Sequence, residues 1–268
     1  MEMLQIIILG IIQGLTEFLP VSSSGHLILA PLILDFEDQG LALDAILHLG
    51  TLISIFVFFK NDLIEIFLGL FDKKKDSHRL AWCIAAASIP AGLLGFFLGD
   101  WIESSLRSPT FVATNLLIWS GVFYLADRSG KNLYKTKSNL MELPPLKIFF
   151  IGCAQAVALL PGTSRSGITI AAGLFIKLNP VTATRFSFLL GTPIILAAGL
   201  HKLFTFVSVS TNLHSFSYFH LLVGLSVSFL VGLIAIKLLL KVVEKVGLFP
   251  FIIYRIILAA AILLFYPG

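Results

Sequence analysis

The sequence predicts an all-α polytopic integral membrane protein, an inverted-topology repeat of six spanning helices plus two re-entrant helical hairpins. Composition sets the class: 57% of the 268 residues are hydrophobic, only 13% are charged, and the mean hydropathy is +0.96. A water-soluble protein of this length needs more polar residues to cover its surface. Several stretches reach the roughly 20 apolar residues that a bilayer crossing requires, so we expect one membrane domain over residues 1–268.

The apolar stretches follow an order that occurs twice along the chain. The first stretch, 3–34, is broken at 19–25, and a later stretch, 147–176, is broken at 160–167. Three unbroken stretches of spanning length follow each broken one. They cover 41–59, 80–99 and 109–126, and then 182–205, 218–240 and 249–266. We therefore predict two repeats, 1–126 and 147–268, joined by a cytoplasmic loop over 127–146.

Short matches between the two halves occur at a constant spacing of 141 residues. The matched pairs are Leu19-Pro20 with Leu160-Pro161, Leu49-Gly50-Thr51 with Leu190-Gly191-Thr192, and Ser23 with Ser164. A spacing shared by separate elements favours a true repeat over chance. Because each half contains three crossings, an odd number, the second half is expected to be inverted relative to the first.

Loop charges predict the orientation of the chain. Basic residues cluster at Lys73–Lys75 and at Lys131–Lys137, while the loop at Asp35–Asp38 and the end at Asp100 are acidic. By the positive-inside rule the basic loops are cytoplasmic, and we do not interpret them as a nucleic-acid surface. The first break then enters from outside and the second from the cytoplasm, so their tips can meet near the midplane, where inverted repeats place their sites.

The two breaks are the candidate functional site, because non-helical backbone at membrane depth is tolerated only beside protein or a water-filled cavity. One interpretation is structural, with the serines capping the helices that follow. The other is an anion site, since two helix N-termini offer free N–H groups and partial positive charge. The candidate substrate-binding hydroxyls are those of Ser22, Ser24, Thr163, Ser164 and Ser166.

Charged residues around the breaks indicate phosphate chemistry. Arg165 carries a planar fork of donors suited to phosphate oxygens, although it could instead pair structurally with Glu17. Gln13, a further candidate substrate-binding residue, shares a helix face with Glu17, and His26 follows Ser23 by three residues. A serine nucleophile needs a base, which His26 could supply. Glu17 could orient the imidazole, act as the base, or hold a divalent cation, Mg²⁺ or Ca²⁺, over the phosphates.

Other polar residues in the apolar stretches carry weaker signals. Asp44, His48 and Arg185 lie near the ends of spans, where interfacial anchoring or helix pairing is the expected role. We expect no organic cofactor. A lipid flippase or transporter is the alternative function, because broken helices in inverted repeats also occur in transporters. An anion channel would need a polar stripe along a span, and the sequence has none.

The segments Gln13–His26 and Leu160–Gly167 together resemble those of the bacterial undecaprenyl-diphosphate phosphatases, also called bacitracin-resistance proteins. The resemblance implies an enzyme of the bacterial cytoplasmic membrane that removes the terminal phosphate of undecaprenyl diphosphate and so recycles the lipid carrier for cell-wall synthesis. The family's essential Glu would be Glu17, its essential His His26 and its phosphate Arg Arg165. Its nucleophile would be Ser23, although the resemblance leaves His26 as an alternative.

The family pattern has Glu or Gln four residues before the essential Glu, and this chain has Gln13 there. This residue weakens any scheme in which two carboxylates share a metal. We expect the active site to face the outer side of the membrane. The expected partners are a polyprenyl diphosphate lipid, the bilayer and, in a homodimer, a second copy of the chain.

Overall fold

The computed structural model describes residues 3–35, 40–133, 138–209 and 218–266, and the regular elements in these ranges are all helical. The α-helices are α1 Met3–Thr16, α2 Ser23–Leu34, α3 Gly40–Phe58, α4 Lys60–Phe71, α5 Ser77–Ser105, α6 Pro109–Gly130, α7 Pro145–Val157, α8 Arg165–Phe175, α9 Pro180–Val209, α10 Tyr218–Val246 and α11 Phe249–Phe265. Three internal segments lie outside the described residues: 36–39, which contains Glu37 and Asp38, 134–137, which contains Lys135 and Lys137, and 210–217.

Several helices have the length and composition of membrane spans, which confirms the all-helical, multi-pass class. Within the described ranges, α5, α6, α9 and α10 pass as single spans, and α3 with α4 forms a fifth if that bent pair is one span. Helix α11, with 17 residues, belongs to the shorter apolar helices. Six spans therefore remains a prediction.

Both predicted breaks are present. Helix α1 ends at Thr16 and α2 begins at Ser23, while α7 ends at Val157 and α8 begins at Arg165. Each broken stretch is thus a pair of short helices joined by six or seven non-helical residues. This is the local structure that a hairpin re-entering the membrane requires.

The region after the first span differs from the prediction, which treated the chain from Lys60 as a loop. Residues 60–71 form helix α4, bent 86° from α3 next to Phe59. The reason is an apolar pattern at helical spacing, in which Ile64, Phe67 and Phe71 are all exposed. A short helix with an exposed apolar face is suited to lie in the membrane interface.

Close helix packing holds the two broken segments in the bundle. Helix α1 packs on α10, and α7 packs on α5. A side chain at Gly152 would overlap the carbonyl of Ala87 on α5, and one at Gly14 would meet Val231 on α10 at 2.7 Å. Glycine is required at these contacts because the two backbones approach too closely for a Cβ.

A cluster of aromatic rings fills the core on one side of the breaks. Phe18, Phe59, Phe123, Phe186 and Phe188 are almost fully buried. Phe188 lies edge-on to Phe18, with ring centroids 5.5 Å apart, and packs against Phe59 at 5.7 Å. These rings fill that side of the breaks with apolar contacts and leave no room for a ligand among them.

Candidate active site

The two breaks have the same backbone conformation at their last non-helical residue. Ser22 has φ 76° and Ser164 has φ 75°, a region that serine rarely adopts. Each hydroxyl caps the following helix by accepting the N–H of the glycine three residues on, Gly25 at 3.4 Å and Gly167 at 3.2 Å. The capping role proposed for one serine in each break is thus present, and it belongs to Ser22 and Ser164.

This geometry corrects the residue-by-residue match between the two halves. The structural equivalent of Ser164 is Ser22, 142 residues earlier, rather than Ser23 as the constant spacing of 141 predicted. The second break is one residue longer, because Gly162 and Thr163 stand where the first break has Val21. Gly162 has φ +90°, a conformation that favours glycine.

The tips of the two breaks contact each other directly. The Gly162 N–H donates to the Ser22 hydroxyl at 3.2 Å, and the Ser166 hydroxyl donates to the Leu19 carbonyl at 3.2 Å. Residues almost 150 positions apart in sequence therefore form one compact unit, as the inverted-repeat argument expected of the tips.

A buried arginine that the sequence analysis did not single out joins the two breaks from a third helix. Arg255 of α11 is fully buried and donates to the Gly162 carbonyl at 2.9 Å and to the Pro20 carbonyl at 3.5 Å. It also donates to Leu116 and Ser120 of α6. The sequence could have indicated this role, because Arg255 lies inside the apolar stretch 249–266. A charged side chain is costly in a membrane unless it is paired.

A second connection from α6 reaches the second break. The Asn115 amide donates to the Pro161 carbonyl at 2.7 Å and to the Thr163 hydroxyl at 2.8 Å. Thr163 is fully buried, so its hydroxyl is engaged in holding the break rather than facing an open space. Asn115 was also missed, because a single amide in a span is a weak signal on its own.

Three of the four predicted catalytic residues meet at one carboxylate. Glu17 Oε1 accepts from Arg165 Nη2 at 2.8 Å, and Glu17 Oε2 accepts from the Ser23 hydroxyl at 2.8 Å. The Gln13 amide donates to the same Oε2 at 3.1 Å. The Glu17 side chain is only 7% exposed, so these contacts form in a region of low dielectric where they are strong.

His26, the fourth predicted catalytic residue, has different partners. Its Nδ1 lies 2.7 Å from the Ser22 carbonyl, and its Nε2 lies 2.7 Å from the Tyr254 hydroxyl. The rings of His26 and Tyr254 also stack, with centroids 5.7 Å apart. Both imidazole nitrogens are therefore engaged by groups other than Ser23 and Glu17.

The cluster retains unused capacity for a ligand. Arg165 Nη1 and Gln13 Oε1 are buried and make no hydrogen bond within the described part of the chain. Buried polar atoms without partners are rare and call for an explanation. Ser23 is partly exposed and donates its proton to Glu17, which leaves the oxygen lone pairs available. Arg165 Nη1 packs against Gly191 of α9, where an added Cβ would overlap it, so an anion beside Ser23 would pair with Nη1 only after a shift of the guanidinium.

A cavity of about 450 Å³ adjoins this cluster between α2, α3, α5 and α9. Ser24, His48 and Pro161 line it beside the breaks, and Asp100 and His201 line it near the ends of α5 and α9. Asp44 and His48, for which interfacial anchoring or helix pairing was expected, line this α5–α9 cavity. Arg185, by contrast, pairs with Asp62 of α4 at 3.0 Å, in line with helix pairing.

The donor set does not fit a resident metal centre. Within the ranges that the structure describes, no group of three or more His, Cys, Asp or Glu side chains could hold a metal ion. Both oxygens of Glu17 already accept hydrogen bonds from protein donors, one of them the Arg165 cation. A divalent cation held by Glu17 would have to displace that guanidinium.

Comparison with known proteins covers nearly the whole chain. The family model described as bacitracin resistance protein BacA matches residues 6–261. The chain is 42% identical to undecaprenyl-diphosphatase 1 of Pseudoalteromonas translucida (strain TAC 125), over 99% of each chain. It is 41% identical to an undecaprenyl-diphosphatase of Idiomarina loihiensis, over 99% of this chain and 100% of that one. A Teredinibacter turnerae undecaprenyl-diphosphatase is also 41% identical, over 96% and 97% respectively.

Proposed function

The chain belongs to the bacitracin resistance protein BacA family, and we propose that it hydrolyses undecaprenyl diphosphate to undecaprenyl phosphate and inorganic phosphate. This activity recycles the lipid carrier for cell-wall synthesis, which is the basis of bacitracin resistance in this family. The observation that carries the proposal is the Ser23 hydroxyl, hydrogen-bonded at 2.8 Å to a carboxylate that Arg165 holds from the other break.

The contacts support a displacement at the terminal phosphorus with Ser23 as the nucleophile. Ser23 Oγ forms a bond to phosphorus while its proton passes to Glu17, and the bond from phosphorus to the bridging oxygen breaks. Undecaprenyl phosphate leaves with the electron pair of that bond. Glu17 gives up the proton received from Ser23 before the second step. Water then attacks the phosphorus of the phosphoserine while Glu17 takes one proton of the water, the bond from Ser23 Oγ to phosphorus breaks, and Glu17 passes the proton to Ser23 as inorganic phosphate leaves.

Arg165 and the helix ends stabilise the charge in this scheme. Arg165 uses Nη2 to hold Glu17, and its unpaired Nη1 would turn from the Gly191 backbone toward a phosphate oxygen when substrate binds. The N-termini of α2 and α8 begin at the two breaks and add N–H donors with partial positive charge. Such preorganised donors act where charge develops in the transition state. Ser24 and Ser166 provide further hydroxyls beside the two helix ends.

Glu17 rather than His26 is the base in this proposal, because Glu17 is the group that contacts the Ser23 hydroxyl. His26 has a positioning role. Its Nδ1–H donates to the Ser22 carbonyl, and its ring is held against Tyr254. A divalent cation would be carried by the diphosphate oxygens rather than by a resident protein site, and no step here depends on it.

The shared geometry of the breaks supports the inverted repeat with six spans and two re-entrant hairpins. Helices α1 and α7 hold equivalent places, since α1 packs on α10 and α7 on α5. With the basic loops in the cytoplasm, the α5–α9 cavity opens at the acidic outer end near Asp100. We therefore place the active site on the outer side of the bacterial cytoplasmic membrane. A homodimer is the further proposal, tested by the mass of the detergent-solubilised protein.

The flippase alternative is not favoured. Moving a lipid headgroup needs an anion site, but it does not need a serine that donates its proton to a buried carboxylate. The chain thus contains the chemistry of hydrolysis in addition to that of binding.

Phosphate release by purified protein tests the proposal. Wild-type protein in detergent should release inorganic phosphate from undecaprenyl diphosphate, and Ser23→Ala should release almost none. Ser104→Ala is the matched control, because Ser104 is exposed at the end of α5. Equal phosphate release by Ser23→Ala and wild type would contradict the nucleophile assignment, and no release by wild type would contradict the function.

A further inference from the structure

His48 of α3 is held in one tautomer next to the Glu17 cluster. Its Nδ1 lies 2.8 Å from the backbone carbonyl of Asp44, one helical turn earlier. A carbonyl oxygen can only accept, so Nδ1 carries the hydrogen. In the neutral ring, Nε2 is then an acceptor with a free lone pair.

The free nitrogen faces the catalytic carboxylate. His48 Nε2 lies 3.8 Å from Glu17 Oε2, the oxygen that accepts the Ser23 proton. A neutral imidazole lone pair and an ionised carboxylate repel each other, whereas one proton on the pair makes the contact attractive. The two groups are thus within ion-pair distance, and a small approach would bring them into hydrogen-bond contact.

His48 also has access to the space where substrate would lie. Its side chain is 24% exposed and lines the α5–α9 cavity, while the Glu17 side chain is 7% exposed. Gln13 contacts the same Oε2, but its amide does not titrate. Of these two neighbours of the carboxylate, His48 is the one that can move a proton between Glu17 and the cavity.

We infer that His48 is a further catalytic residue, which receives the proton of Ser23 through Glu17 and delivers it to the departing phosphate. This inference rests on the proposed function. As the Ser23–phosphorus bond forms and the bridging bond breaks, the proton moves from Ser23 Oγ to Glu17 Oε2, then to His48 Nε2 and finally to the bridging oxygen. In the second half, water supplies the proton that restores Ser23.

Other charged groups around His48 enter any measurement of pH dependence. Glu17, the first residue after α1, faces it directly, and Arg165 of α8 pairs with that carboxylate. Across the cavity lie Asp100 of α5, Arg107 after α5, and His201 of α9, and Asp44 precedes His48 on its own helix.

Two substitutions of His48 distinguish a role in proton transfer from a role in packing or in hydrogen bonding alone. His48→Gln keeps a similar size and a hydrogen-bond donor but cannot be protonated. His48→Phe keeps a ring but has neither a hydrogen-bond donor nor a nitrogen that can take a proton. Because general acid–base catalysis typically contributes 100-fold or more, His48→Gln should lower kcat about 100-fold with little change in KM. The pH profile of kcat should also lose one limb. His220→Gln, in α10 and away from the cavity lining, is the matched control.

Steady-state phosphate release from undecaprenyl diphosphate across pH is the measurement, with thermal unfolding in detergent to confirm folded variants. Full kcat and an unchanged pH profile in His48→Gln, with only His48→Phe impaired, would show that His48 merely packs or donates, and would overturn the inference. A raised KM at constant kcat would overturn it as well. Failure of the proposed function itself differs, because wild type would then release no phosphate.

Discussion

The first and second breaks share one backbone design and carry different chemistry. Both place a serine at φ near 75°, use its hydroxyl as a helix cap, and set a second serine hydroxyl 3.2 Å from the first. The residue after the cap differs: the first break has Ser23 and the second has Arg165. The two breaks supply two similar helix ends, and the proposed function depends on the residues that distinguish them.

The difference extends to the preceding helices. At the spacing of 141 that holds before the extra residue, Gln13 of α1 corresponds to Ala154 of α7, and Glu17 corresponds to Ala158. The first break therefore contributes the proposed nucleophile, Ser23, and the carboxylate that it contacts, and the second contributes the cation that pairs with that carboxylate. Neither half contains the whole site, so activity requires the two tips to dock.

The largest expected effect comes from replacing the cation of the second break. Arg165→Lys should lower kcat about 1,000-fold, the low end of what an arginine contributes to phosphoryl transfer. A lysine is a compact point charge without the planar fork that would reach Glu17 and a phosphate together. Phosphate release measures the effect. Arg185→Lys is the control, because its pair with Asp62 is half-exposed and contributes little. Near-normal activity of Arg165→Lys would mean that this break supplies only charge.

Arg255→Met tests whether the breaks depend on a common tether. It would leave the Gly162 and Pro20 carbonyls without their donor, at about 1–3 kcal/mol for each buried unsatisfied group. Turnover and the unfolding temperature in detergent should fall together. Arg128→Met, at an exposed position of α6, should change neither. If the Arg255→Met protein were as stable as wild type, the contact between the two tips would not depend on Arg255.

The two cap serines should differ in importance. Ser164→Ala removes a cap, at about 1 kcal/mol. Ser22→Ala removes a cap and also leaves the Gly162 N–H unpaired, which adds about 1–3 kcal/mol. Ser22→Ala should therefore have the lower unfolding temperature and the lower turnover. Equal losses would show that the contact between the tips contributes nothing measurable.

The smallest effect concerns orientation and leaves activity intact. If the basic loop before α5 is cytoplasmic, a cysteine at Ser104, at the far end of α5, should react with an impermeant reagent in intact cells, and one at Lys74 should not. Cys83 and Cys153 are first replaced by alanine, since both are free. Labelling at Lys74 and protection at Ser104 would reverse the assignment of the site to the outer face.

The breaks and the meeting of Glu17, Ser23 and Arg165 were predictable because proline, glycine and hydroxyl residues interrupt apolar stretches there. Such interruptions are local signals that a single sequence displays. The one-residue difference between the breaks was not predictable, because the constant spacing of 141 residues fits the flanking dipeptides and fails only at the caps.

The residues that sequence reasoning missed act across helices. Arg255 lies 93 residues from Gly162, and His48 lies 31 residues from Glu17. The local sequence does not show which face of α3 or α11 contacts the breaks, because that orientation depends on tertiary packing. Helix α4 was missed for another reason, since its charged residues outweighed an apolar helical face.

The central claim is that Ser23 and Glu17 act as one catalytic unit, and a double-mutant cycle on turnover tests it most directly. Phosphate release is measured for Ser23→Ala, Glu17→Gln and the double variant, with lipid binding measured separately. Groups that act together show strongly non-additive losses, so the double variant should be little slower than the slower single variant. Binding should be retained better than turnover, because Arg165 and the helix N-termini still hold the diphosphate. Additive losses, or weakened binding with intact turnover, would contradict the account.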